Sequence, residues 1–86
     1  MESMRVIVAP EALKQAEELP RMILKRVMRI VQRLAYWPDV SGAKPLRHSL
    51  AGRYRIRTGD YRVQFRLEGQ MIIVEKIGHR DGFYED

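Results

Sequence analysis

From Arg53 to Leu67 the chain alternates with a period of two, interrupted only by Thr58-Gly59-Asp60. Tyr54 and Ile56, then Tyr61, Val63, Phe65 and Leu67, fall on one side, while Arg53, Arg55 and Arg57, then Arg62, Gln64 and Arg66, fall on the other. A two-residue period is the signature of a strand with one covered face, and a short glycine-containing break between two such runs makes a hairpin. An isolated hairpin is marginally stable in water, so the apolar row needs a second layer to cover it. Whatever else the chain forms must supply that layer.

The upstream sequence supplies it. Met4 to Val8 is a β-branched run closed by Ala9-Pro10, which predicts a strand followed by a helix with Pro10 as its first residue. Ala12, Leu13, Ala16 and Leu19 give that helix an apolar side, and it stops before Pro20. A second helix starts at Arg21, with Ile23, Val27, Ile30, Val31 and Leu34 on one stripe and Arg26, Arg29 and Arg33 on another. Tyr36-Trp37-Pro38 ends it, and the stretch to Gly52 reads as a long irregular connection. After the hairpin, Glu68-Gly69-Gln70 is a turn, Met71 to Ile77 a buried strand, Gly78 a break, and His79 to Asp86 a polar tail. The expected fold is α+β, in the order strand-helix-helix-strand-strand-strand. It has an antiparallel-rich twisted sheet, two helices packed on one face and the arginine row on the other.

The 86 residues suit one domain, residues 1–86, in which Leu, Ile, Val and Phe together number 23. That is about 27%, above the roughly 20% below which charged chains stay disordered. With no cysteine the chain cannot build a disulfide, an Fe–S cluster, a cysteine zinc site or a thiol nucleophile, and it fits a reducing cytoplasm. Met1-Glu2-Ser3-Met4 does not open a signal peptide, and the longest apolar stretches, four or five residues, are far short of the roughly 20 that span a membrane. The net charge of +5 is concentrated: between Lys44 and Leu67 lie Lys44, Arg47, Arg53, Arg55, Arg57, Arg62 and Arg66 against Asp60 alone. At least five could share one sheet face, where like charges across strands destabilise one another unless an anion binds. A solvated basic face is the plain alternative, and it is the ordinary reading of the Arg26, Arg29 and Arg33 stripe.

Few groups near that face can move a proton: His79 after the last strand, Tyr84 in the tail, and His48 in the connection. A histidine at a strand end is as often a simple polar cap. The two histidines are 31 positions apart without paired carboxylates, which argues against a metal site, and Ser41, Ser49 and Thr58 have no activating partner nearby in sequence. One reaction needs neither metal nor protein nucleophile: attack by an RNA 2′-hydroxyl on the adjacent phosphate, expelling the 5′-oxygen. Arginines can hold that phosphate and stabilise its extra charge, but a guanidinium does not serve as a base near neutral pH, which leaves the proton transfers to His79 or Tyr84.

The residues that carry these features form a pattern. Lys44-Pro45-Leu46, then Leu50-Ala51-Gly52-Arg53-Tyr54-Arg55-Ile56-Arg57-Thr58-Gly59-Asp60-Tyr61-Arg62-Val63, then Ile77-Gly78-His79-Arg80 and Tyr84 resemble the RelE/ParE superfamily of bacterial and archaeal toxins over almost the whole chain. The resemblance implies the toxin of a type II toxin–antitoxin module. Its RelE branch cuts mRNA in the ribosomal A site without metal or cofactor, and its ParE branch poisons DNA gyrase. It places two basic residues of the RelE branch, often lysines, on Arg55 and Arg57, phosphate-stabilising arginines on Arg62 and Arg80, the C-terminal tyrosine on Tyr84, and an occasional acid/base histidine on His79. The expected catalytic set is thus Arg55, Arg62, His79, Arg80 and Tyr84, with Lys44, Arg47, Arg53, Arg57 and Arg66 along the RNA. Arginine in place of lysine at 55 and 57 shifts proton transfer to His79 and Tyr84. The basic row and terminal tyrosine favour an endoribonuclease, while a gyrase inhibitor or an inert binding relative is the alternative. The implied partners are an acidic antitoxin, mRNA and the ribosome, in the cytoplasm.

Overall fold

The computed structural model describes residues 3–83. The chain forms β1 (Arg5–Val8), α1 (Pro10–Glu17), α2 (Arg21–Arg33), β2 (Lys44–Pro45), β3 (Arg53–Thr58), β4 (Tyr61–Glu68) and β5 (Met71–His79), with 3₁₀ turns at Leu34–Tyr36, His48–Leu50 and Arg80–Gly82. The five strands make one mixed sheet in the order β1-β5-β4-β3-β2. β1 and β5 are parallel, and the other neighbours are antiparallel. Prolines set the helix starts: Pro10 lies in the first turn of α1, and Pro20, with extended backbone, precedes α2.

The helices carry the chain from one sheet edge to the other, α1 against β5 and α2 against β3 and β4. Ala12 and Ala16 of α1 and Val27, Ile30, Val31 and Leu34 of α2 or just beyond it pack on Ile56, Val63, Phe65, Ile72, Val74 and Ile77. The alanines let α1 lie close to the sheet, and Phe65, fully buried, adds about 1.5–3 kcal/mol by leaving water. Trp37 meets Tyr54 and Phe65 edge-on at 4.8 and 5.4 Å, closing the core beneath the 38–52 connection. The hairpin's apolar row therefore faces the helices as its spacing predicts, except at Leu67, which is left exposed.

Three local features depart from the expectation. The connection contains a short strand: Lys44 and Pro45 pair with Arg55 and Tyr54, and the Leu46 N–H donates to Arg53 O at 2.9 Å. Pro45 is tolerated because β2 is an edge. Gly78 does not end β5, because Arg62 and Tyr61 of β4 continue to pair with Gly78 and His79. Finally, β4 and β5 slip register between Gln64 and Phe65, so that Gln64 pairs with Lys76 and Phe65 with Val74, leaving Glu75 as the extra residue of a bulge.

Candidate functional site

Because Tyr54, Ile56, Val63 and Phe65 pack under the helices, the intervening residues of β3 and β4 occupy the opposite face. The register sets them in rows across the strands: Arg53 beside Arg66, Lys44 beside Arg55, Gln64 and Lys76, and Arg57 beside Arg62 and Gly78. Arg57 is exposed, whereas Arg55 and Arg62 are only 5% and 8% accessible and neither lacks an interaction partner. Five arginines do share the face, and Lys44 and Lys76 join them.

The face is not uniformly positive. The β5 bulge turns Glu75 as well as Lys76 toward it, and the Glu75 carboxylate accepts from Arg53 Nε, from Gln64 Nε2 at 3.0 Å and from Arg66 Nη1 at 2.9 Å. Partial burial pushes the Glu75 carboxyl up, but the hydrogen bonds from Gln64, Arg66 and Arg53 outweigh it and hold the group below the ordinary carboxylate range. Arg66 also donates to Glu68 at 3.0 Å, and the two carboxylates raise its affinity for its proton. One half of the face, around Arg53 and Arg66, is thus neutralised from within by Glu75 and Glu68; Arg55, Arg57 and Arg62 occupy the other half. The expectation that repulsion along the whole row awaits an outside anion is corrected to this extent: Glu75 is a built-in anion for two of the arginines.

A groove of about 490 Å³ runs over the neutralised half, with Arg53, Gln64, Glu75 and Lys76 in its floor, Gln15 on the α1 side and Ser49 on the other. Arg47 and Lys44 are exposed and do not line this groove. Arg80 is exposed past the end of β5, its backbone N–H donating to Asp60 O at 2.7 Å and its Nε 3.9 Å from an Asp60 carboxylate oxygen. His79 shares its cross-strand row with Tyr61, whose ring it meets edge-on at 5.2 Å, so the alternation sets it on the opposite side from Arg57 and Arg62. Its Nδ1 accepts from the Asp81 N–H at 3.1 Å, bracing the turn that carries Arg80. Phe83 returns to the arginine face: its ring lies 4.5 Å from Lys76 Nζ and close to Gly78. Tyr84, next in the chain, lies outside the described residues. His48 begins the His48–Leu50 turn, exposed and with φ of 54°.

Glu75, Lys76 and Phe83 belong to the site without having been expected there, and Gln64, expected on that side of the strand, joins them as a partner of Glu75. The bulge leaves a trace in the sequence, since the buried residues of β5 are Ile72, Val74 and then Ile77, a spacing of three where two continues a flat strand. An acid at that interruption, inside an apolar run, is the signal for Glu75. Among the described residues no group of three or more His, Asp or Glu is placed to hold a metal ion, and no helix is long and apolar enough to cross a membrane.

The same fold exists in solved structures. The chain is similar to one in the toxin–antitoxin complex RelBE2 from Mycobacterium tuberculosis, with a TM-score of 0.80 and 29% identity, covering 93% of this chain and 94% of that one. In fold it also matches a chain of the RelB–RelE antitoxin–toxin complex from Methanococcus jannaschii, with a TM-score of 0.73, 24% identity, and 87% and 91% of the two chains covered. Two helices on a five-stranded mixed sheet are thus the fold of a small toxin of the toxin–antitoxin class. Residues 6–82 match the family described as the ParE toxin of the type II toxin–antitoxin system parDE, and the chain belongs to that family, within the RelE/ParE superfamily. Among curated sequences it is similar to toxin RelE3 of Methanocaldococcus jannaschii, 28% identical over 85 residues, 95% of this chain and 97% of that protein. The motif-based resemblance therefore holds at the level of the family.

Proposed function

We propose that this toxin is a metal- and cofactor-independent endoribonuclease that cuts mRNA in the ribosomal A site. The observation that carries the reading is the gathering of Arg55, Arg57 and Arg62 in neighbouring cross-strand positions at one end of the sheet face. At that end planar guanidinium groups can grip two oxygens of a phosphodiester at once. Arg55, Arg62 and Arg80 stabilise the charge that builds on phosphorus as the 2′-hydroxyl attacks and the bond to the 5′-oxygen breaks. The products are a 2′,3′-cyclic phosphate and a 5′-hydroxyl. Tyr84, next after Phe83 in the sequence, protonates the departing oxygen, and the 2′-hydroxyl proton passes to solvent. His79, set apart from Arg57 and Arg62 by the strand alternation, acts as a positioning residue for Arg80 through its bond from the Asp81 N–H. Lys44, Arg47, Arg53, Arg57 and Arg66 bind the RNA on either side. In the cell, an acidic antitoxin covers the arginine face; that there is an antitoxin is supported by the similar chains, which come from toxin–antitoxin complexes, and residues 1–86 act as one cytoplasmic domain.

Primer extension on a translated mRNA, with and without ribosomes, tests the reading. Cuts that require ribosomes and fall at least a hundredfold in Arg62→Ala and Arg80→Ala are expected, in line with the loss of a group that stabilises a transition-state charge. Wild-type cleavage by folded variants overturns it. The match to the ParE family favours a second reading, a gyrase poison. Cleaved DNA–gyrase complexes accumulating beside intact mRNA would select that reading instead.

A further inference from the structure

Outside the arginine face, a cleft of about 370 Å³ lies between α2 and the edge of β3. Three of its arginines, Arg26, Arg29 and Arg33, follow one another along α2, about 4.5 and 6 Å apart along the axis. The Arg26 guanidinium reaches the β3–β4 turn, its Nη2 3.5 Å from where a side chain on Gly59 would begin. Arg33 Nη2 lies against the loop, 3.3 Å from Ser41 O and 3.4 Å from its hydroxyl. β2 accompanies β3 only as far as Arg55. By the alternation that points Arg53 O toward the β2 side, the Arg57 N–H faces the same way and borders the cleft.

Among the described residues no carboxylate lines this cleft, and none of Arg26, Arg29, Arg33 and Arg57 is in an ion pair. The contrast with the Glu75 network is direct: there the chain supplies its own anion, and here it supplies none. A peptide needs apolar anchor pockets in a groove, but Ile30 and Ile56, the apolar residues of the lining, are 5% and 3% accessible and already spent on the core. What remains is a line of guanidinium forks, a backbone N–H and, at Ser41 and Thr58, hydroxyls suited to a 2′-hydroxyl that both donates and accepts.

We infer that this cleft, which meets the arginine face at Arg57, is a second nucleic-acid site, one that takes the phosphate backbone of double-stranded RNA whether or not the toxin cleaves RNA. Binding of a 20-base-pair RNA duplex, read by fluorescence anisotropy across salt concentrations, tests it without reference to cleavage. Arg26→Gln/Arg29→Gln/Arg33→Gln should bind at least tenfold more weakly at 100 mM salt, with a plot of log affinity against log salt shallower by about two. Arg26→Gln/Arg29→Gln, which leaves the Arg33–Ser41 contact in place, should show a smaller loss of the same kind, so that a folding defect in the triple variant cannot imitate the result. A DNA duplex of the same sequence, which lacks the 2′-hydroxyl, should bind the wild type more weakly than the RNA does. Unchanged affinity and slope for RNA in both variants overturn the inference, as does equal binding of DNA and RNA by the wild type. A heptaglutamate peptide that binds the wild type and not the variants, while RNA binding is unaltered, overturns it in favour of an acidic protein partner.

Discussion

Glu75 accepts hydrogen bonds from Arg53, Gln64 and Arg66 at once, and its carboxyl is held below its ordinary range in the folded chain. Between the folded and unfolded values the unfolded chain binds more protons, so this group's stabilisation is present above the unfolded value, near pH 4, and is lost as pH falls through the folded value. Glu75→Gln should therefore destabilise the toxin at pH 7 by about 1–2 kcal/mol, the range of a charge-assisted bond exchanged for a neutral one. Urea titrations should show the gap between variant and wild type closing below about pH 4. A gap that persists undiminished at pH 3 would show that the carboxylate's charge is not what holds Arg53 and Arg66. At this scale the arginines were legible in the sequence because alternation alone assigns their side of the strand. Glu75 was not, because a bulge adds a residue without altering composition, and only the pairing of Gln64 with Lys76 and Phe65 with Val74 reveals which residue is extra.

β5 needs two different neighbours along its outer edge. From Met71 to Val74 it pairs with β1, and where β1 gives out the Ala9 N–H still donates to Val74 O at 2.9 Å. Three residues on, the Ile77 N–H finds no strand beside it and donates instead to the Gln15 side-chain oxygen of α1 at 2.8 Å. A helix residue thus completes the strand edge at the point where β5 carries Lys76 and Gly78 into the site. Gln15→Leu removes the acceptor while keeping much of the side-chain bulk, so it leaves a half-buried N–H unsatisfied at a cost of about 1–3 kcal/mol. Faster hydrogen exchange at Ile77, beyond that of amides in β4, should accompany the loss. Exchange at Ile77 equal to the wild type would mean that water replaces Gln15 without penalty. The helices, the hairpin and the central strand were readable because each has a period of its own. β2 was not, since two residues cannot display a period, and neither was the continuation of β5 through Gly78, which depends on Tyr61 and Arg62 lying alongside. The side on which His79 lies was not readable for a related reason, because the bulge shifts the alternation of every residue after it.

The described chain measures 34 × 29 × 24 Å, with the Arg55, Arg57 and Arg62 group on one side of the sheet and the α2 arginines at the cleft beside the other. The surplus of positive charge was plain in the sequence, but its division between two places was not, because only the packing of α2 on β3 brings Arg26 to the β3–β4 turn. Whether a polyanion feels one cluster or two depends on salt. At 10 mM the screening length is about 30 Å, comparable with the molecule, and the clusters act as one field; at 150 mM it is about 8 Å, and each acts alone. Stopped-flow association with a labelled 12-nucleotide single-stranded RNA should separate these regimes. At 10 mM salt, Arg62→Ala and Arg29→Gln should slow association by similar factors of about two to three, since each removes one charge from the common field. At 150 mM salt the Arg62 variant should remain slower while the Arg29 variant rejoins the wild type, because a single strand on the sheet face lies beyond the reach of α2. Equal slowing by both variants at 150 mM would mean that a single strand spans both clusters, and the sheet face and the α2 cleft would then be one continuous binding surface.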